Sequence, residues 1–308
     1  MKLHIASVFP LLALCLSCSS ESRNSTVDTA VLSLDSVSHP ALDSGIAPAV
    51  NQPATASAAS RPDAGPPSAI ARRPGQNIAV DIHVISVAER ADTVRIGYQL
   101  KNLVSSAESL VTFHVDAPGS ILRIPRPGSG REWVSMSAYR GRPMASWISG
   151  STIPPGGISP ELYFESVGVP GIVTYWAQGN HEPPSEEEAG STASGNPLTD
   201  EMISGKTVGV DSWPRDRSYS SLIARLRALT VSTCNAPLLW ITNASLCNEL
   251  LADIRDADNN GSKQPTQAKR ALDNYMSVLG GVDAPAPGVT NAAYWLLRSN
   301  AEIIRAAL

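Results

Sequence analysis

The run Asp256, Asp258, Asn260 and Gly261 is where this chain comes nearest to a ligand set of familiar spacing. Carboxylates and an amide at alternate positions before a glycine match the first half of a calcium loop, because calcium takes hard oxygen ligands around a sharp turn. The second half departs from that pattern. Lys263 takes the usual apolar position, Pro265 interrupts the loop, and Gln267 replaces the bidentate Glu that closes the coordination sphere. The readings are therefore a capped helix end with a polar turn, or a weakened calcium site at Asp256, Asp258 and Asn260.

Other chemistry is harder to assemble. Gly205-Lys206-Thr207 ends like a phosphate loop, but Asp200 stands where that loop needs Gly. His181-Glu182 lacks the second His of a zinc-protease helix, no Gly-x-Ser-x-Gly elbow occurs, and no Cys sits in a nucleophile context. His83 and His114 fall on the polar side of their strands if the alternation holds, but two histidines without a third ligand make a poor metal site. No catalytic residue and no cofactor is assigned. An acid–base pair at a sheet rim, with Glu161 and Glu165 as candidates, would need two carboxylates about 5 to 10 Å apart in a cleft. The aromatic residues Trp133, Tyr139, Trp147, Tyr175 and Trp176 could stack on sugars or anchor a partner, or they could simply pack the core and edges.

The N-terminus carries an address. Lys2 gives a positive start, Ile5 to Leu16 an apolar run, and Ser17 a small residue directly before Cys18, which together read as an export signal. The stretch resembles a bacterial lipoprotein signal, in which Cys18 becomes the lipidated first residue of the mature chain. Cys15 occupies a position where that pattern prefers Leu, so ordinary signal cleavage is the alternative. Ser19 after the lipidated position resembles outer-membrane sorting. If Cys15 leaves with the signal and Cys18 carries lipid, Cys234 and Cys247 remain as a pair for an oxidising compartment. A bridge between them would close a short loop around Trp240 and contribute about 3 kcal/mol; two buried thiols are the other possibility.

The whole chain sets bounds on function. With 308 residues, a net charge of -4 and a pI near 5.8, it is long enough for two modest domains and is not a bulk nucleic-acid binder. Its 22 glycines and 24 prolines point to long linkers. After the signal at 1–17, residues 18–75 are rich in Ser, Ala, Pro and Asp, a composition that reads as a disordered tether. The pattern then changes. Ile78, Val80, Ile82 and Val84 alternate, as do Val94, Ile96, Tyr98 and Leu100, then Val111, Phe113 and Val115. Shorter runs follow at Ile121–Ile124, Trp133–Met136, Ser146–Ile148, Leu162–Val167 and Ile172–Trp176. This series predicts an antiparallel β-sandwich of the immunoglobulin-like kind over 76–180. Residues 181–217, with Glu186-Glu187-Glu188, read as an acidic linker, within which Lys206 to Val210 could add a strand.

Helical spacing takes over in 218–308. Leu222, Leu226 and Leu229 form one stripe, and Leu246, Leu250 and Ile254 another after Asn243 as cap. Ala268, Leu272, Tyr275 and Leu279 follow after Pro265. The last stripe contains Ala293, Leu296, Leu297, Asn300, Ile303 and Ile304 after Thr290 as cap. These predict a small four-helix bundle. Asn300, a polar residue within an apolar stripe, reads as a buried amide that caps a neighbouring backbone group, or as a ligand contact. The pattern Leu239-Trp240-Ile241, Asn243, Leu246-Cys247, Leu250, Ala257, Ala271, Tyr275 and Asn291-Ala292-Ala293-Tyr294-Trp295-Leu296-Leu297 with Asn300 resembles the FIMAH-like helical module of exported bacterial proteins, over about the last ninety residues. That resemblance implies an accessory module without catalytic residues. The link between the second and third helical stripes of the pattern is longer here and contains prolines.

These readings converge on a non-catalytic, lipid-anchored protein of the bacterial envelope. It would have two separately buried cores on a tether, a membrane partner through its lipid, an unknown protein or glycan partner, and no nucleic acid. A calcium-stabilised adhesion module and a hydrolase of envelope polymers are the alternatives.

Overall fold

The computed structural model describes residues 75–90, 92–127, 133–181, 201–282 and 284–308, which all fall within one compact unit. The signal, Cys18, nearly all of the tether and the acidic triplet at 186–188 lie outside the described residues.

Each alternating run of the sequence lies within or against a strand. In chain order these are β1 (Val80–Arg90), β2 (Thr93–Asn102), β3 (Leu110–Asp116), β4 (Ile121–Arg123), β5 (Trp133–Tyr139), β6 (Arg142–Ile153), β7 (Leu162–Val167), β8 (Val169–Gly179) and β9 (Ile203–Asp211). They form two antiparallel sheets, one ordered β1-β2-β7-β4 and the other β5-β6-β3-β8-β9. The two sheets meet through one face each, as a period of two requires. Tyr98 of the first sheet lies edge-on to Phe113 and Trp147 of the second, at ring distances of 5.7 and 6.1 Å. Its hydroxyl donates to the Val208 carbonyl at 2.7 Å, so the polar end of this buried ring is satisfied across the layer. β1 and β9 are edge strands of their sheets.

Four helices follow: α1 (Tyr219–Cys234), α2 (Ala244–Asn260), α3 (Pro265–Leu279) and α4 (Asn291–Ala306). Their starts are set by local chemistry. Asn243 accepts from the amides of Ser245 and Leu246, Thr290 accepts from that of Ala293, and Pro265 occupies a first-turn position of α3. α3 stops at Gly280, whose φ of 147° and close approach to the Ala284 carbonyl leave no room for a side chain. The Cys234–Cys247 disulfide ties the end of α1 to the start of α2. The Thr230 and Tyr275 hydroxyls, 2.8 Å apart, join α1 to α3. None of the described helices is long and apolar enough to cross a membrane.

Most buried apolar side chains of the sheets and the helices form one continuous cluster that spans both, not the two separate cores that the change of period suggests. The stripe of α4 explains this, since the helix packs against β1, β8 and β9 as well as against α1 and α3. A stripe fixes which face of a helix is buried. It does not say which surface covers it.

Candidate binding cleft beside the last helix

α4 lies against the edge strand β1, with β8 and β9 of the other sheet alongside. His83 Nε2 of β1 is 3.4 Å from Asn291 Nδ2 at the start of the helix. Farther along both elements, Glu89 of β1 feels the charge of Glu302. Helix and strand therefore run in the same direction.

Toward its C-terminal end α4 is sealed to the sheets. The Asn300 side-chain amide, 4% exposed, donates to the Pro170 carbonyl at 3.0 Å and to Leu296 at 2.8 Å. Arg225 of α1 donates to the same Pro170 oxygen at 3.2 Å and to Asp211 at 3.1 Å. This bears out Asn300 as a buried amide that caps a backbone group. Glu89 lies in the same seam. One of its oxygens is buried without a hydrogen-bond partner, and burial, reinforced by Glu302, pushes its carboxyl up to about 8.

The N-terminal end of α4 opens instead into a cleft of about 230 Å³. β1 supplies Asp81 and His83 to its walls, β8 supplies Tyr175, and β9 supplies Lys206 and Thr207. Trp240 enters from the α1–α2 connection, and the start of α4 contributes Thr290 and Asn291. Trp240 is held from behind: its carbonyl accepts from Thr290 N at 2.8 Å, Ile241 pairs with Val289, and the disulfide closes the loop that carries it. Tyr175 lies over its cross-strand partner Gly205, where a side chain would run into the ring. Burial and the nearby Asp81 raise the Tyr175 hydroxyl above its ordinary range, so it stays protonated at neutral pH. The Asn291 side-chain oxygen is buried without a partner. A larger groove of about 510 Å³ begins at Val80 and continues toward Ile78, Leu103 and Met202 with a more apolar lining.

The aromatic candidates separate into three places. Trp133 and Trp147 are core, Trp147 stacking on Phe113 at 5.8 Å. Tyr139 and Trp176 pack with Met144 and Met202 in a separate small cluster. His114 lies there too, its ring 4.4 Å from Tyr139 and its Nδ1 2.8 Å from the Ser146 hydroxyl. Burial pulls it down to about 4, which keeps it neutral. Only Tyr175 of the five reaches the cleft. His83 and His114 sit in different sheets and do not face each other.

Asp256, Asp258 and Asn260 occupy the last turn of α2, not a loop. Residues two apart on a helix point to different faces. Asp258 pairs with Arg227 of α1 at 2.9 Å, and the Asn260 amide is bonded to the Asp256 carbonyl at 2.7 Å. Among the described residues no cluster of three or more His, Cys, Asp or Glu is arranged for a metal. Glu161 is exposed, and Glu165 stands in register with Arg95 and Arg123; neither lines the cleft.

Among the described residues, two antiparallel sheets and four helices share one main interior, with a cleft where the last helix begins. No protein-family model matches the chain, and no curated protein matches it.

Proposed function

We propose that this chain is a non-catalytic, lipid-anchored protein of the bacterial cell envelope. In this reading an immunoglobulin-like β-sandwich carries a FIMAH-like helical bundle, and the two together present a binding surface to a protein or glycan partner. The observation that carries the reading is the cleft beside α4. Among the described residues its lining combines two aromatic rings with hydrogen-bonding side chains and contains one carboxylate, Asp81, where acid–base hydrolysis of a glycan uses two. The Cys234–Cys247 disulfide supports export, because such bridges persist in oxidising compartments.

Labelled palmitate supplied to expressing cells tests the anchor. Wild-type chain should take up label and Cys18→Ala should not; an unlabelled wild-type chain ends the lipoprotein reading. Incubation of the purified protein with envelope polymers tests the absence of catalysis, and release of shortened products would overturn it.

A further inference from the structure

The charges around the cleft exclude more ligands than they invite. The first-turn amides of α4 make one part of the lining positive, and no acidic residue in that turn offsets them, while the Lys206 ammonium is turned to the Thr174 hydroxyl at 2.9 Å. Asp81 places a full negative charge on the same small space. A compact anion would be drawn to the helix start and repelled by Asp81, and a compact cation would meet the reverse. A neutral ligand whose groups each donate and accept avoids both penalties and can use the donors and the acceptors together.

Two further features narrow the class. Trp240 and Tyr175 bring apolar ring surface to the cleft, and both are held in place, Trp240 by its disulfide-closed loop and Tyr175 by Gly205 beneath it. Asn291 keeps a buried oxygen that lacks a donor, while its amide nitrogen faces His83. An unfilled buried acceptor costs free energy until a donor arrives. The space of about 230 Å³ lies below the range of drug-sized pockets and suits one six-membered ring with its substituents.

We infer that the cleft binds one neutral pyranose unit of a glycan, with ring C–H groups against Trp240 and hydroxyls that donate to Asn291 and Asp81 and accept from the first-turn amides of α4. The inference rests on the binding reading above and is independent of the lipid anchor. It makes the seam between sheets and helices the sugar-binding surface, so neither part alone carries the site.

The test uses the full chain. Methyl β-glucopyranoside, methyl β-galactopyranoside, methyl α-mannopyranoside and N-acetylglucosamine are titrated by calorimetry and saturation-transfer NMR, beside phosphate, glucuronate and glucosamine as charged counterparts. At least one neutral sugar should bind with millimolar affinity and outcompete the charged probes. Trp240→Ala should weaken it by about tenfold and Asn291→Ala by about threefold. Asn291→Ala decides the matter if the Trp240 variant melts early, because Asn291 is a half-buried position at the start of a helix. The inference is overturned if none of the four sugars binds at about 50 mM, if only charged probes bind, or if binding survives Asn291→Ala unchanged. A chain that takes up palmitate but ignores sugar loses this inference alone. One that binds sugar without label loses only the anchor.

Discussion

The two ends of α4 meet the same pair of sheets in opposite ways. At Asn300 every polar group of the side-chain amide nitrogen is spent on backbone carbonyls, and Pro170 receives donors from two helices. At Asn291 the same residue type keeps an acceptor without a partner beside an open cleft. A satisfied buried amide fixes how a helix docks, whereas an unsatisfied one spends stability and leaves a bond to be made.

The contrast can be broken at four places. The largest effect belongs behind the open end, where the disulfide closes the loop that carries Trp240. Replacing Cys234 and Cys247 together by Ser should lower unfolding free energy by about 3 kcal/mol in urea melts. A loss well under that would mean that the loop carrying Trp240 is held by its backbone hydrogen bonds and packing without the covalent tie. At the sealed end, Asn300→Ala leaves the Pro170 carbonyl short of one donor and opens a small void, and should cost about 2 kcal/mol.

Glu89 gives the seam a pH signature. Its folded-state pKa of about 8 lies above the ordinary 4.5, so the folded chain holds an extra proton between those values. Stability from this group is therefore full below about pH 4.5, declines as pH rises, and is lost above about 8. Glu89→Gln should match wild type near pH 4.5 and exceed it by roughly 1 to 2 kcal/mol near pH 8.5, after allowance for partial exposure. Parallel melts across that range check the sign, and a constant difference between the two proteins would contradict it. The smallest effect completes the comparison. Asn291→Ala should change stability by less than about 0.5 kcal/mol, since it gives up one long contact with His83. If Asn291→Ala proves as costly as Asn300→Ala, the distinction between the two ends fails.

What could be read from the sequence was whatever depends on neighbours within a few residues. The alternation around Tyr98, the stripe around Leu250, the caps Asn243 and Thr290, and the pairing of Cys234 with Cys247 all rest on local periodicity or on counting. The cleft does not. His83, Lys206, Trp240 and Asn291 come together because α4 lies along β1, and no spacing in the chain encodes that meeting. In the sequence Lys206 stands out as part of a failed phosphate loop and as the start of a possible strand, and Trp240 within a family-like pattern and inside the loop between Cys234 and Cys247. His114 shows a different limit: alternation assigned it to a polar face, but both faces of the five-stranded sheet bury side chains, so a period of two no longer sorts inside from outside. For Asp256 and Asp258 the letters fit a turn as well as a helix end, and only the hydrogen bonds of α2 decide between them.

The shared interior bears on how such a chain could be rearranged. A cut after Asp211 would strip Val208, Val210 and the flank of β1 of their cover and leave Leu296, Leu297 and Ile304 without a surface to rest on. Both fragments would expose grease and clump, so the C-terminal third is not a cassette that recombination could move intact to another host protein. Heat should instead melt the described body as one cooperative block, in a single calorimetric peak.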